Sequence, residues 1–259
     1  MTGAIFHIAR TVLVEAVRRK EIYVIVLVAS GMMAAVMAMD FFGLEGLTKF
    51  YREMALKVMS AATAVTVIVL ASRQLPREFE RRTIYPLLAR PISRAEFLLG
   101  KMLGVWASAA FCFGLFMLVY TLGMAQLGGA VHWPIFLQFV YLQLLMMLVL
   151  VSLGFVLSMV CNIDAAITIG VLLYALGSTL ASIMVYLYEL TTPIGQWLLI
   201  GLTYVIPQLM LFDLSEKCTH AEMWQPLRGE TMSMLTLYAL IFVGIYLGSA
   251  MVLFRRRPL

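Results

Sequence analysis

Charge is scarce in this sequence. Only 13% of its 259 residues are Asp, Glu, Lys or Arg, and 63% are hydrophobic. A soluble domain carries about 25% charged residues and roughly 45–50% apolar ones. So many apolar side chains cannot all be hidden inside a water-soluble globule of this size. The composition excludes an ordinary soluble enzyme, a disordered chain and a nucleic-acid binder, although the net charge is +5. It indicates a polytopic membrane protein.

Other absences narrow the chemistry. There is no GxxxxGK[ST] loop, so the chain should not bind ATP through a P-loop of its own. No serine stands in a GxSxG setting and no acid–base pair is evident, so the chain is not expected to be an enzyme. His7, His132 and His220 are far apart, which argues against a haem or zinc site. The 19 methionines are spread widely and form no tight Met/His/Cys cluster, which argues against a copper relay. Cys112, Cys161 and Cys218 are expected in a span, at the inner edge and outside, so a lone outer cysteine has no partner for an intrachain disulfide. The first residues do not read as a cleavable signal peptide, because the basic cluster lies at 18–20, after an earlier helix.

What is present is a set of long uncharged stretches. They cover 22–39, 58–72, 102–163, 165–188, 190–212 and 231–254. A crossing helix needs roughly 20 apolar residues. The long stretch divides at Gly128-Gly129 and His132-Trp133-Pro134. Spans are therefore expected near 22–39, 54–71, 102–124, 135–160, 165–188 and 231–254. The segment 190–212 is interrupted by Pro193, Gly195, Gly201 and Pro207. Basic residues flank the first and last spans, and basic short loops favour the cytoplasm. Both termini are then cytoplasmic and the crossings are even in number. The fold expected is all-α, with six transmembrane helices in a single domain over 1–259. Residues 190–230 would form an outer re-entrant segment and loop before the last helix. With this topology the charge divides into about +8 inside and −3 outside.

Residues 1–21 read as an amphipathic interfacial helix, because Ile5, Ile8, Ala9, Val12, Leu13, Ala16 and Val17 share one helical face. The centres of the expected spans lack ionisable groups, which argues against an ion-coupled carrier. Their sparse polar residues include Ser60, Thr63, Thr66, Gln138, Gln143, Ser152 and Tyr174. Most should serve helix packing, and some could line a translocation path. Gly244 and Gly248 form a GxxxG match of the kind that permits close helix packing.

The inner loop 72–101 is the main candidate for a docking surface. It carries seven basic and three acidic residues, interleaved with Phe79, Ile84, Leu87 and Leu88. Pro91 should end one short helix. Ser93 should cap the next, with Glu96 three residues on as in a capping box.

These residues resemble a known family. Glu78-Phe79-Glu80-Arg81-Arg82-Thr83-Ile84, then Leu87-Leu88-Ala89-Arg90-Pro91-Ile92-Ser93-Arg94, then Phe97-Leu98-Leu99-Gly100-Lys101 is similar to the cytoplasmic loop of ABC-2 type permeases. So are Pro207 to Asp213 and the Phe254-Arg255-Arg256-Arg257 ending. Arg82 departs from the pattern, which usually has glycine before the threonine. The resemblance implies the permease subunit of an ATP-driven ABC transporter, an exporter in the cell inner membrane. It would pair with a second permease subunit amid membrane lipids and dock on separate cytoplasmic P-loop ATPase subunits. It implies no cofactor in this chain, with ATP and Mg on the partner. It also implies an ATPase-coupling interface at Glu78, Glu80, Arg81, Arg82, Thr83, Arg90, Pro91, Ser93 and Arg94. The alternative is a membrane anchor or regulatory subunit that tethers an ATPase without moving a substrate. No partner role for nucleic acid is expected.

Overall fold

A computed structural model describes residues 2–18, 20–37, 43–80, 93–192, 194–197, 201 and 206–256. Among these the fold is helical, with no strand. The elements are α1 (Thr2–Val17), α2 (Lys20–Met37), α3 (Gly43–Glu80), α4 (Arg94–Gln126), α5 (Trp133–Val160) and α6 (Ile163–Leu190). A 3-10 turn (Leu209–Phe212), the short α7 (Ser215–Thr219) and α8 (Gly229–Arg256) follow.

Four helical stretches are long and apolar enough to cross a membrane: Gly46–Phe79, Arg94–Gln126, Trp133–Val160 and Gly229–Arg255. The chain is thus a multi-pass membrane protein. Shorter apolar stretches lie in α2, at Val26–Val36, and in α6, at Ile163–Gly177.

The helices outrun the spans expected from charge. α3 has 38 residues where the charge gap suggested 54–71. At a rise of about 1.5 Å per residue it is roughly 57 Å long, well beyond the roughly 30 Å hydrocarbon core of a bilayer. Charge marks where a helix meets water, not where it ends. Lys57 and Glu53 pair one turn apart, which supports a helix outside lipid. Pro76 lies inside α3 and removes the backbone bond that would reach the Ser72 carbonyl.

α3, α4 and α5 form the centre, with Tyr51, Met59, Val67, Phe113, Phe116, Phe139 and Phe155 buried between them. An aromatic series ties them together. Tyr51 stacks on Tyr120 with centroids 6.3 Å apart, and Tyr120 on Phe136 at 5.3 Å. α8 packs along α5, and α6 packs against both α3 and α5. The span hydroxyls mostly serve their own helices: Thr63 donates to the Met59 carbonyl at 2.6 Å and Thr66 to Ala62 at 2.7 Å. Gln138 instead reaches Leu227, donating to its carbonyl at 3.0 Å and accepting from its N–H at 2.8 Å. That pairing fixes the approach to α8.

α1 packs more extensively on α4 than on any other helix. Its Val12 and Ala16 are buried, while Phe6 is exposed. The close approach depends on Gly100 and Gly104 of α4. A Cβ on Gly104 would lie 2.6 Å from Val12 Cβ and 2.8 Å from the Ala9 carbonyl oxygen. The small-residue seam used within the chain is therefore Gly100/Gly104. At Gly244 and Gly248, the pair singled out in the sequence, an added Cβ would meet nothing within 4 Å. The amphipathic face expected over 1–21 belongs in part to a helix–helix contact. Of the segment expected to be re-entrant, 194–197 are helical; 193, 198–200 and 202–205 lie outside the described residues.

Candidate functional site

The expected coupling loop joins α3 to α4, and its two anchored ends are well defined. At the α4 end Ser93 is the N-cap. Its hydroxyl accepts from the Glu96 N–H at 3.2 Å, and its own N–H donates to the Glu96 carboxylate at 2.9 Å. This is the capping box expected from sequence, and such caps contribute about 1 kcal/mol.

Arg94, the first residue of α4, turns toward the end of α8. Its Nη1 donates to the Phe254 and Arg255 carbonyls, each at 3.3 Å. The last carbonyls of a helix lack intrahelical partners and carry partial negative charge, so a guanidinium there satisfies both needs. The same guanidinium lies 5.7 Å from the Phe254 ring centroid. Phe254 is buried, stacked on Phe97 at 6.0 Å and tilted against Phe79 at 5.9 Å.

About two turns beyond Arg94, Lys101 forms an ion pair with Glu78 of α3. The two side chains are 7% and 17% exposed, so the pair is largely shielded from water. Lys101 Nζ also lies 5.7 Å from the Phe97 ring centroid. Three helices are thereby locked at one end of the bundle. Glu78 holds α3 to α4, Arg94 holds α4 to α8, and Phe254 fills the space among them.

Of the predicted interface residues, the structure brings together Glu78, Ser93 and Arg94. Glu80 is the last residue of α3, and its side chain lies outside the described residues, as do Arg81, Arg82, Thr83, Arg90 and Pro91. Sequence reasoning missed Lys101 and Phe254 as members of the cluster. Lys101 did leave a signal: it stands alone at the edge of the uncharged run 102–163, where a lysine needs an acid or an escape to water.

A second feature lies between α5, α6 and the 3-10 turn. A cavity of about 190 Å³ is lined by Gln143, Met146, Tyr174, Met210 and Asp213, among others. The Gln143 amide donates to Ser60 Oγ at 3.0 Å, and its buried carbonyl oxygen has no partner among the described residues. Among the described residues no group of His, Cys, Asp and Glu could hold a metal.

The described residues form a bundle of long apolar helices, four of them long and apolar enough to cross a membrane. The profile described as ABC-2 family transporter protein matches residues 10–259, nearly the whole chain. The chain belongs to the ABC-2 transporter family. It is the membrane permease of an ABC transporter, as the loop residues suggested. The family implies the context of an ABC transporter, with an ATPase partner. Comparison with curated proteins gives no significant match. Within this ABC-2 permease, the α3–α4 cluster frames the segment where the family resemblance is densest.

Proposed function

We propose that the chain is the permease subunit of an ATP-driven exporter, energised by separate cytoplasmic ATPase subunits through segment 80–94. The supporting observation is the triple lock at Glu78–Lys101, Arg94 and Phe254. A load applied to the loop would be carried directly to α3, α4 and α8 rather than absorbed at a loose hinge. Glu78, Glu80, Arg81, Arg82, Thr83, Arg90, Pro91, Ser93 and Arg94 form or support the docking surface in this reading. Arg94 does both, since it also caps α8. Two copies, or two related permeases, would pair in the inner membrane, each with six spans. α2 and α6 supply the remaining two crossings. α1 lies at the inner interface, both termini are cytoplasmic, and 190–230 folds back from the outer side. The cavity at Gln143 and Tyr174 supplies polar groups beside the path. Export is favoured because the family mostly exports.

The test is co-purification and flux. A P-loop ATPase should co-purify with the chain, and reversing the charge at Arg90 or Arg94 should weaken that association while the protein still inserts. Reconstituted with the ATPase, the complex should move a substrate only when ATP is supplied. ATP hydrolysis without flux of any substrate tested would favour a tether instead.

Topology has its own test, and the structure changes the choice of probe. Cys218, expected to be an exposed outer label, is buried, with its Sγ 3.7 Å from the Ile135 carbonyl. Burial pushes its thiol up to about 12, and Asp213 adds to the effect. Thiolate is the reactive form, so Cys218 should resist a maleimide near neutral pH in the folded protein. Cys161, half-exposed at the opposite end of α5, is the better probe. An impermeant thiol reagent should label it only after the cells are opened. Labelling in intact cells would reverse the proposed sidedness.

A further inference from the structure

At the opposite end of the bundle from the triple lock, Arg52 of α3 is 6% exposed. It lies about 39 Å from Glu78 along the helix, at roughly 1.5 Å per residue. Its Nη1 donates to the Thr219 carbonyl at 3.1 Å and its Nη2 to the Ala130 carbonyl at 3.2 Å. These bonds tie α3 to α7 and to the α4–α5 turn. They do not neutralise the charge. Among the described residues Arg52 has no carboxylate partner, and its buried Nε–H has no acceptor. A buried cation without a counter-ion is costly, and an orphaned donor adds to that cost.

Arg52 also lines a cavity of about 350 Å³, together with Lys49, Gly128, Gly129, His132 and Glu222. Lys49 is exposed and stands three residues before Arg52, which places both on one helical face. Among the described lining residues Glu222 is the one acid against Lys49 and Arg52, so their charges sum to a positive value. The turn is held close to α3, because a Cβ on Gly129 would lie 2.6 Å from both Thr48 Cγ2 and Met124 Cε. Gly128 supports the turn with φ +65°. The cavity therefore combines a guanidinium held by two carbonyls, an exposed ammonium and a backbone turn packed close to α3.

We propose that this cavity is an anion site for a phosphate group, with Arg52 as the fixed donor and Lys49 as the closing one. Guanidinium groups bind phosphate through short charge-assisted hydrogen bonds. The phosphate could come from a phospholipid head group or from a soluble phosphate. The site stands on these residues alone, whichever face of the membrane they occupy and whichever way transport runs.

The experiment uses the purified full-length chain in detergent and in lipid nanodiscs. Thermal stability is followed with inorganic phosphate against chloride at matched ionic strength. Retained lipid is read by native mass spectrometry with phosphatidylglycerol against an uncharged glycolipid. Stabilisation by phosphate with no preference for phosphatidylglycerol identifies a soluble ligand. Retention of phosphatidylglycerol without a response to phosphate identifies a head group. R52Q should abolish the response. K49Q leaves the Arg52 ties intact and should weaken binding roughly three- to tenfold, as expected for one charge-assisted contact. If R52Q does not fold, K49Q alone decides. A wild-type protein that responds to neither probe, or a K49Q protein that binds as well as wild type, overturns the proposal.

Discussion

Replacing Lys101 with alanine should destabilise the folded chain by about 3 kcal/mol, near the low end for breaking a buried ion pair. Lys101 is almost fully enclosed and Glu78 retains some contact with water, which is why the low end applies. The cost comes mainly from taking the Lys101 charge away from a largely buried carboxylate, not from the intrinsic strength of the pair. Neutralising both partners should therefore recover most of the loss, since a buried pair often contributes little beyond what apolar replacements provide. The measurement is thermal unfolding of the purified protein for K101A and for the double variant E78Q/K101M. A double variant no more stable than K101A would show that the ion pair is not the source of the effect. Coupling should respond differently. In the double variant the α3–α4 tie is gone even where stability returns. ATP-dependent flux should stay low if the triple lock transmits force.

The second large effect concerns α1. G104L places a branched side chain where even a Cβ would lie 2.8 Å from a backbone carbonyl oxygen. The Ala9 oxygen belongs to a helix and cannot rotate aside, so α1 must move. Overpacking of this kind costs about 1–3 kcal/mol, and here it should appear as detachment of α1 from α4. Hydrogen exchange of the α1 amides should accelerate in G104L. G244L is the control, because an added Cβ there meets nothing within 4 Å among the described residues, and it should leave α1 exchange unchanged. Unaltered α1 protection in G104L would contradict the packing described. A strong effect of G244L on assembly, with the isolated chain intact, would instead point to a contact with another subunit.

Much of the local structure was legible before folding. The Ser93/Glu96 capping box depends on residues three apart, so its chemistry is complete within one turn. The same holds for the helical character of α1 and for the uncharged runs that became α4, α5 and α8. Helix ends were less legible. In α3, Glu45 to Glu53 fall outside the span expected from charge, yet the backbone bonds of a helix are satisfied in water as in lipid.

The candidate site divides along the same line. Glu78, Ser93 and Arg94 were visible because they belong to one short segment with a family pattern. Phe254 and Lys101 as partners were not, since Arg94 reaches the Phe254 carbonyl across 160 residues. Cys218 was expected outside, and Arg52 falls beyond the expected span 54–71, yet both are buried. Nothing local distinguishes an arginine that faces solvent from one that ties α3 to a distant turn.

The scarcity and placement of charge by themselves determined that this is a multi-pass membrane protein, because burying charge in lipid is too costly for any other arrangement. The tertiary structure alone decided which charges stay hidden: the Lys101–Glu78 pair at one end and Arg52 at the other. Such burial is tolerated only when a partner from another helix arrives within hydrogen-bond reach, and that distance is set by packing.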